Sequence, residues 1–187
     1  MRLKNEKKAS AALSRFFSAF LPRAFGDPAL WIRKVLGVNL YRSQKRVVRA
    51  VRNNDRVAVK SGHGVGKGFV SACIAAWWVG VRHGLVLVTA PTWAQVTNVW
   101  FATLRGILRS SAIAFLRKAE AEILSDRWML GPAWGVLGVA SDRPDNIQGY
   151  HAANMLLIAD EAAGIPDDIF EAFEGSQVSR GVGGAKV

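Results

Sequence analysis

An α/β fold with a mostly parallel central sheet and flanking helices is predicted by three features of this sequence. Short apolar runs at 57–60, 85–89, 134–140 and 155–159 alternate with longer helical patterns, which is how strand–helix–strand units are written. Those runs are continuous, not alternating, as befits strands buried on both faces of a parallel sheet. A glycine-rich stretch joins the first run to a long apolar helix, the arrangement that aims backbone N–H groups and a helix N-terminus at an anion.

The elements follow in order. Residues 1–26 form a basic lead-in whose Leu13, Phe16, Phe17 and Phe20 recur at helical spacing and predict an amphipathic helix docked on the core. A second helix opens after Asp27 with Pro28 in its first turn and stops at Gly37. A third, over 40–51, turns Leu40, Val47, Val48 and Val51 inward and leaves Arg42, Lys45, Arg46 and Arg49 elsewhere. Residues 57–60 are the expected first core strand and 69–81 the helix that packs on it. Strand 85–89 ends in Ala90-Pro91-Thr92, followed by a helix to about Arg109 whose Gln95, Arg105 and Arg109 face either a nucleic-acid backbone or solvent. One or two short strands are expected within 119–129, around Ser125 and Asp126, and another over 134–140. Residues 141–151 are too rich in turn formers for a long helix, and 155–159 is a last buried strand.

Residues 61–68 read Ser61, Gly62, His63, Gly64, Val65, Gly66, Lys67 and Gly68. Strand, glycine-rich loop, lysine, helix is the order of a phosphate-binding P-loop: the glycines let several N–H groups converge on one anion, and Lys67 reaches the β and γ phosphates. Two positions depart from G-x-x-x-x-G-K-[ST]. Ser61 stands for the first glycine, and Gly68 for the hydroxyl residue that holds Mg²⁺. Gly-rich turns also join strands to helices that bind nothing, so the loop needs its complement elsewhere in the chain.

That complement is Asp160-Glu161, directly after the apolar run 156–159. Two carboxylates at the carboxyl end of a buried strand form a Walker B arrangement, where ligands of open α/β sheets bind. Asp160 is the candidate Mg²⁺ ligand, directly or through water, and Glu161 the candidate carboxylate that polarises an attacking water. An Asp-Glu pair is also common at helix starts; its place downstream of the loop and after a strand gives it meaning. Gln44, just upstream of the loop, is a candidate adenine reader, because one amide both donates and accepts; a solvated surface glutamine accounts for the same residue.

Composition sets outer bounds. With 187 residues, half of them hydrophobic, the chain makes one core. A net charge of +11, crowded into the first third, favours a polyanionic partner such as nucleic acid, a solvated basic face being the alternative. The single cysteine, Cys73, excludes an intramolecular disulfide and suits a reducing cytoplasm. Apolar runs fall short of the roughly 18 residues a membrane span needs, and Arg15, Pro22 and Arg23 interrupt any signal-peptide pattern.

Residues 57–67, Thr89-Ala-Pro-Thr92 with Gln95-Val96, Gln148-Gly-Tyr-His151 and Leu156-Leu-Ile-Ala-Asp-Glu-Ala162 occur in an order that resembles the ATPase domain of the large terminase subunit, the motor that packages DNA into tailed bacteriophage heads. The resemblance spans 27 to about 175. It implies a P-loop NTPase fold, ATP and Mg²⁺ as cofactors, and hydrolysis coupled to translocation of double-stranded DNA. It also implies a subunit ring on a procapsid portal protein, a small terminase subunit as partner and the host cytoplasm as location. By position, Lys67 and the loop bind phosphate, Asp160 takes the metal and Glu161 is catalytic.

Departures from that pattern bear on activity. Gly68 predicts weak metal affinity and slow turnover. His63 occupies a loop position where some members of the family carry a catalytic arginine, and a neutral imidazole does not replace a guanidinium. Arg143 is a candidate to be offered to a neighbouring subunit's ATP, with ordinary surface charge as the other reading. Such domains continue with a coupling strand and a nuclease domain; Gly183-Gly-Ala-Lys-Val187 resembles a turn and the start of that strand, so a truncated frame without the nuclease is expected. A helicase-like DNA-dependent P-loop ATPase and a non-catalytic nucleotide- or DNA-binding remnant are the alternatives.

Overall fold

The computed structural model describes residues 26–62, 64–111, 116–117, 123–141, 147 and 149–178. The expected lead-in helix, the tail after 178, His63, Arg143 and Gln148 lie outside the described residues.

Asp27 starts the first helix as expected. Its carboxylate accepts the Ala29 N–H at 3.0 Å, and Pro28 follows where its missing N–H costs nothing. This helix, α1 (Pro28–Trp31), widens into a π turn over Ile32–Leu36 and ends at Gly37, whose φ of 75° is a left-handed conformation that glycine adopts freely. The next helix, α2 (Arg42–Asn53), buries Val48, half-buries Val47 and Val51 against the core, and turns a basic face outward. Helix α3 (Lys67–Trp77), extended by a π turn over Trp78–Arg82, buries residues on all sides: Val70, Ala72, Cys73, Ile74, Ala75, Ala76 and Trp77. It is the central helix of its layer. Burial pushes the Cys73 thiol up to about 12, so it serves as packing.

The sheet has the order β2-β3-β1-β4. Strand β1 (Leu85–Thr89) pairs in parallel with β3 (Trp134–Gly138) and with β4 (Met155–Ala159); β2 (Arg127–Gly131) is antiparallel to β3 across a tight turn. Leu85 faces Met155 and Thr89 faces Ala159, so β1 and β4 end level. Between β1 and β2 runs α4 (Phe101–Arg109), entered through a π turn at Gln95–Trp100. Chain reversal after β4 passes a 3₁₀ turn (Ala162–Gly164) into α5 (Asp167–Val178). Side chains alternate along the central strands. Val86, Val88, Leu156 and Ile158 pack with α1 to α4 on one face, and Leu85, Leu87 and Leu157 pack with Ile169, Ala172 and Phe173 of α5 on the other. The α/β class and the mostly parallel sheet are those expected. Among the described residues no helix is long and apolar enough to cross a membrane.

One expected strand is not formed. Among the described residues, 57–60 have no strand partner; Ala58, Val59 and Lys60 are exposed. The physical reason is at the sheet edge. Among the described residues strand β4 pairs only with β1, and between its other edge and residues 56–61 lies a cleft of about 880 Å³. An apolar run becomes a strand only where a neighbour's ladder is within hydrogen-bond reach, about 4.8 Å away, and the described residues supply none here. Of the one or two strands expected within 119–129, β2 begins after Asp126, and residues 119–122 lie outside the described residues.

Candidate functional site

Lys67 and the carboxylates Asp160 and Glu161 meet at the upper end of this cleft, beyond the carboxyl ends of β1 and β4. Two glycines shape the loop: Gly64 and Gly66 hold φ of 74° and 82°. A Cβ on Gly66 would also lie 3.1 Å from the Gln44 side-chain nitrogen, whereas at Gly62 and Gly64 it would meet nothing within 4 Å. The loop is therefore fixed by backbone conformation and open above. Gly66 caps α3, which makes Lys67 the first helical residue and directs the loop into the positive end of an 11-residue helix. The Lys67 ammonium donates to the carbonyls of Gly62 at 3.1 Å and Ser61 at 3.5 Å and stands 3.9 Å from Glu161 Oε1.

The carboxylate pair is placed by β4. Asp160 N–H donates to Thr89 O at 2.9 Å, carrying the ladder one residue past the strand. Glu161 then takes φ 52° and ψ 48°, a left-handed conformation rare for a residue with a long side chain. Such outliers cost on the order of 1–3 kcal/mol and cluster where function requires them. The kink makes adjacent side chains diverge. A Cβ built on Gly68 falls 3.6 Å from Asp160 Oδ2, so position 68 and Asp160 address the same small volume. Burial, reinforced by the neighbouring Glu161 charge, holds the Asp160 carboxyl above its usual range; the hydrogen bond from the Glu161 backbone and the Lys67 cation oppose this without prevailing. An added cation here would be welcomed electrostatically.

These residues fit Mg²⁺ bound with a nucleotide. Among the described residues no cluster of three or more His, Cys, Asp or Glu converges, so a metal would rest on Asp160 together with phosphate oxygens and water, the usual ligand set of a nucleotide-bound Mg²⁺.

Gln44 belongs to the site in a way its sequence position does not show. Its Oε1 accepts the Tyr41 N–H at 3.0 Å and its Nε2 donates to Val65 O at 3.3 Å. One donor and the acceptor of the amide are engaged inside the protein, bracing the loop against α2, and among the described residues its second N–H is left over. Gln95 likewise closes on its own turn, accepting from Thr92 N at 3.0 Å and Thr92 Oγ1 at 2.9 Å as a helix cap. Arg105 donates to Leu124 O at 3.1 Å. Ser71, which no motif pointed to, lines the cleft; its hydroxyl donates to Gly68 O at 2.9 Å and accepts from Trp100 Nε1 at 2.8 Å, locking the first turns of α3 to the neighbouring helix. A lone hydroxyl in an otherwise apolar helix was its signal.

The chain matches no family model, no curated protein and no solved structure. What fold and site define is a class: an α/β protein with a lysine-bearing glycine loop opposed to a carboxylate pair at the end of a parallel strand.

Proposed function

We propose that this chain is an ATPase domain of the large-terminase type, a P-loop NTPase that hydrolyses Mg²⁺-ATP to drive double-stranded DNA into a phage procapsid, with a small terminase subunit and a portal protein as partners. The observation that carries the ATPase part is the convergence of Lys67, position 68, Asp160 and Glu161 on one open volume at a helix N-terminus. The terminase part rests on the order of motifs quoted above. Lys67 would exchange its loop carbonyls for phosphate oxygens, and the loop N–H groups would orient the chain of phosphates. Asp160 would hold the metal, which when bound neutralises charge on the β and γ phosphates. Glu161, kinked away from Asp160, would position a water and take its proton.

Gly68 favours a second reading, a domain that binds nucleotide with little turnover. Both readings require ATP binding. Calorimetric titration of Mg²⁺-ATP should give a saturable isotherm for the wild-type chain and none for Lys67→Ala; equal affinity in the two would end the nucleotide assignment.

A further inference from the structure

We propose that the outer face of α2 is a docking surface for the phosphate backbone of duplex DNA. This helix carries Arg42, Lys45, Arg46, Arg49 and Arg52 and no carboxylate. At 3.6 residues per turn these positions fall within about one third of the helix circumference, opposite Val47 and Val51. They make one continuous basic stripe. From Arg42 to Arg52 it is about 15 Å long at 1.5 Å per residue, and one DNA strand presents a phosphate every ~3.4 Å along the axis, so the stripe can follow roughly four of them.

Charge balance on the surface points the same way. Arg49 is answered by Asp27 at 2.8 Å, and beyond the helix Arg56 is answered by Glu174 at 2.7 Å. Among the described residues Arg42, Lys45 and Arg46 have no carboxylate partner, and Arg33 and Lys34 on the π turn after α1 are also exposed. A solvated helix face ordinarily mixes signs, because like charges three and four residues apart destabilise it. Here every charge has one sign, and a polyanion relieves that repulsion. A lipid surface fits less well: the apolar side of α2 is already committed to the core, leaving no hydrophobic face to insert.

The choice of DNA among polyanions rests on the proposed function, while the surface does not depend on ATP, and the experiment separates the two. Fluorescence anisotropy with a mixed-sequence duplex of about 30 base pairs, without nucleotide, would be followed from about 50 to 200 mM salt, the range in which counterion release dominates. The wild-type chain should bind with a steep slope of log affinity on log salt. The triple variant Arg42→Gln, Lys45→Gln, Arg46→Gln should bind roughly tenfold or more weakly at the low-salt end, with a slope shallower by about 2.7. Single changes at Arg42 or Arg46, each expected to reduce the slope by about 0.9, serve if the triple variant fails to fold. Lys67→Ala should bind DNA as wild type does, so loss of ATP binding would leave this surface standing. An unchanged slope in the α2 variants would overturn the proposal. So would an equal or larger loss in the charge-matched variant Lys4→Gln, Lys7→Gln, Lys8→Gln, or binding to phosphatidylserine vesicles in preference to the duplex.

Discussion

Gly68 shows how one missing hydroxyl can separate binding from turnover. Its side-chain position looks at Asp160 Oδ2 from 3.6 Å, ordinary contact distance, so a serine fits without moving the carboxylate. The substitution Gly68→Ser adds an oxygen at the volume where metal and phosphates would meet, and it replaces a residue that costs the helix about 0.5 kcal/mol relative to serine. Metal-site groups of this kind are typically worth about tenfold or more in affinity or activity. Gly68→Ser is expected to hydrolyse Mg²⁺-ATP on the order of tenfold faster than the wild-type chain, with Glu161→Gln defining zero in a phosphate-release assay. Equal rates in serine and glycine forms would mean that position 68 does not face the metal. The glycine two residues earlier serves the backbone instead. At Gly66 a side chain would meet both a φ of 82° and the Gln44 amide, so that position answers to loop geometry alone.

The elements differ in how far their own residues determine them. Strands β1 and β4 are legible in the sequence to the residue, because four consecutive apolar side chains in β1 and five in β4 find burial on both faces of a sheet. Helix α1 is legible from Asp27, Pro28 and Gly37, each of which acts locally. Residues 57–60 are not, since a strand is a property of a pair and its partner edge is out of reach. The same division runs through the site. Lys67, Asp160 and Glu161 announce themselves by spacing, whereas the bracing of Val65 by Gln44 depends on how α2 docks and leaves no local trace. Asp27 yields a prediction at this scale. It caps α1 and pairs with Arg49, whose guanidinium, by hydrogen bonding, holds the Asp27 carboxyl below its ordinary range in spite of partial burial. A depressed carboxyl stabilises the fold above its unfolded value of 3.8 and loses that contribution as pH falls through the lower folded value. Asp27→Ala should therefore cost about 1 kcal/mol at neutral pH, and the gap in Tm between the two chains should close as the melt is repeated at pH values below that unfolded one.

Taken whole, the molecule divides its surface by purpose. One layer of helices covers one face of the sheet and α5 the other, while charge collects on α2 and the nucleotide candidates collect at the strand ends. Among the described residues, what neither layer covers is the flank of β4. Leu156 to Ala159 line that flank with Val57, Ala58 and Val59 opposite, and among the described residues the outward backbone groups of Leu157 and Ala159 have no strand beside them. Such a row is a template: any extended chain that reaches it gains a ladder of hydrogen bonds and a greasy lining at once, and the most abundant extended chain in a concentrated sample is another copy of the same protein. Sheets with guarded flanks stay monodisperse; this one should not. Light scattering across a concentration series is expected to show mass growing with concentration, and Leu157→Pro, which removes one donor from the open ladder, should hold the particles small at the expense of fold stability.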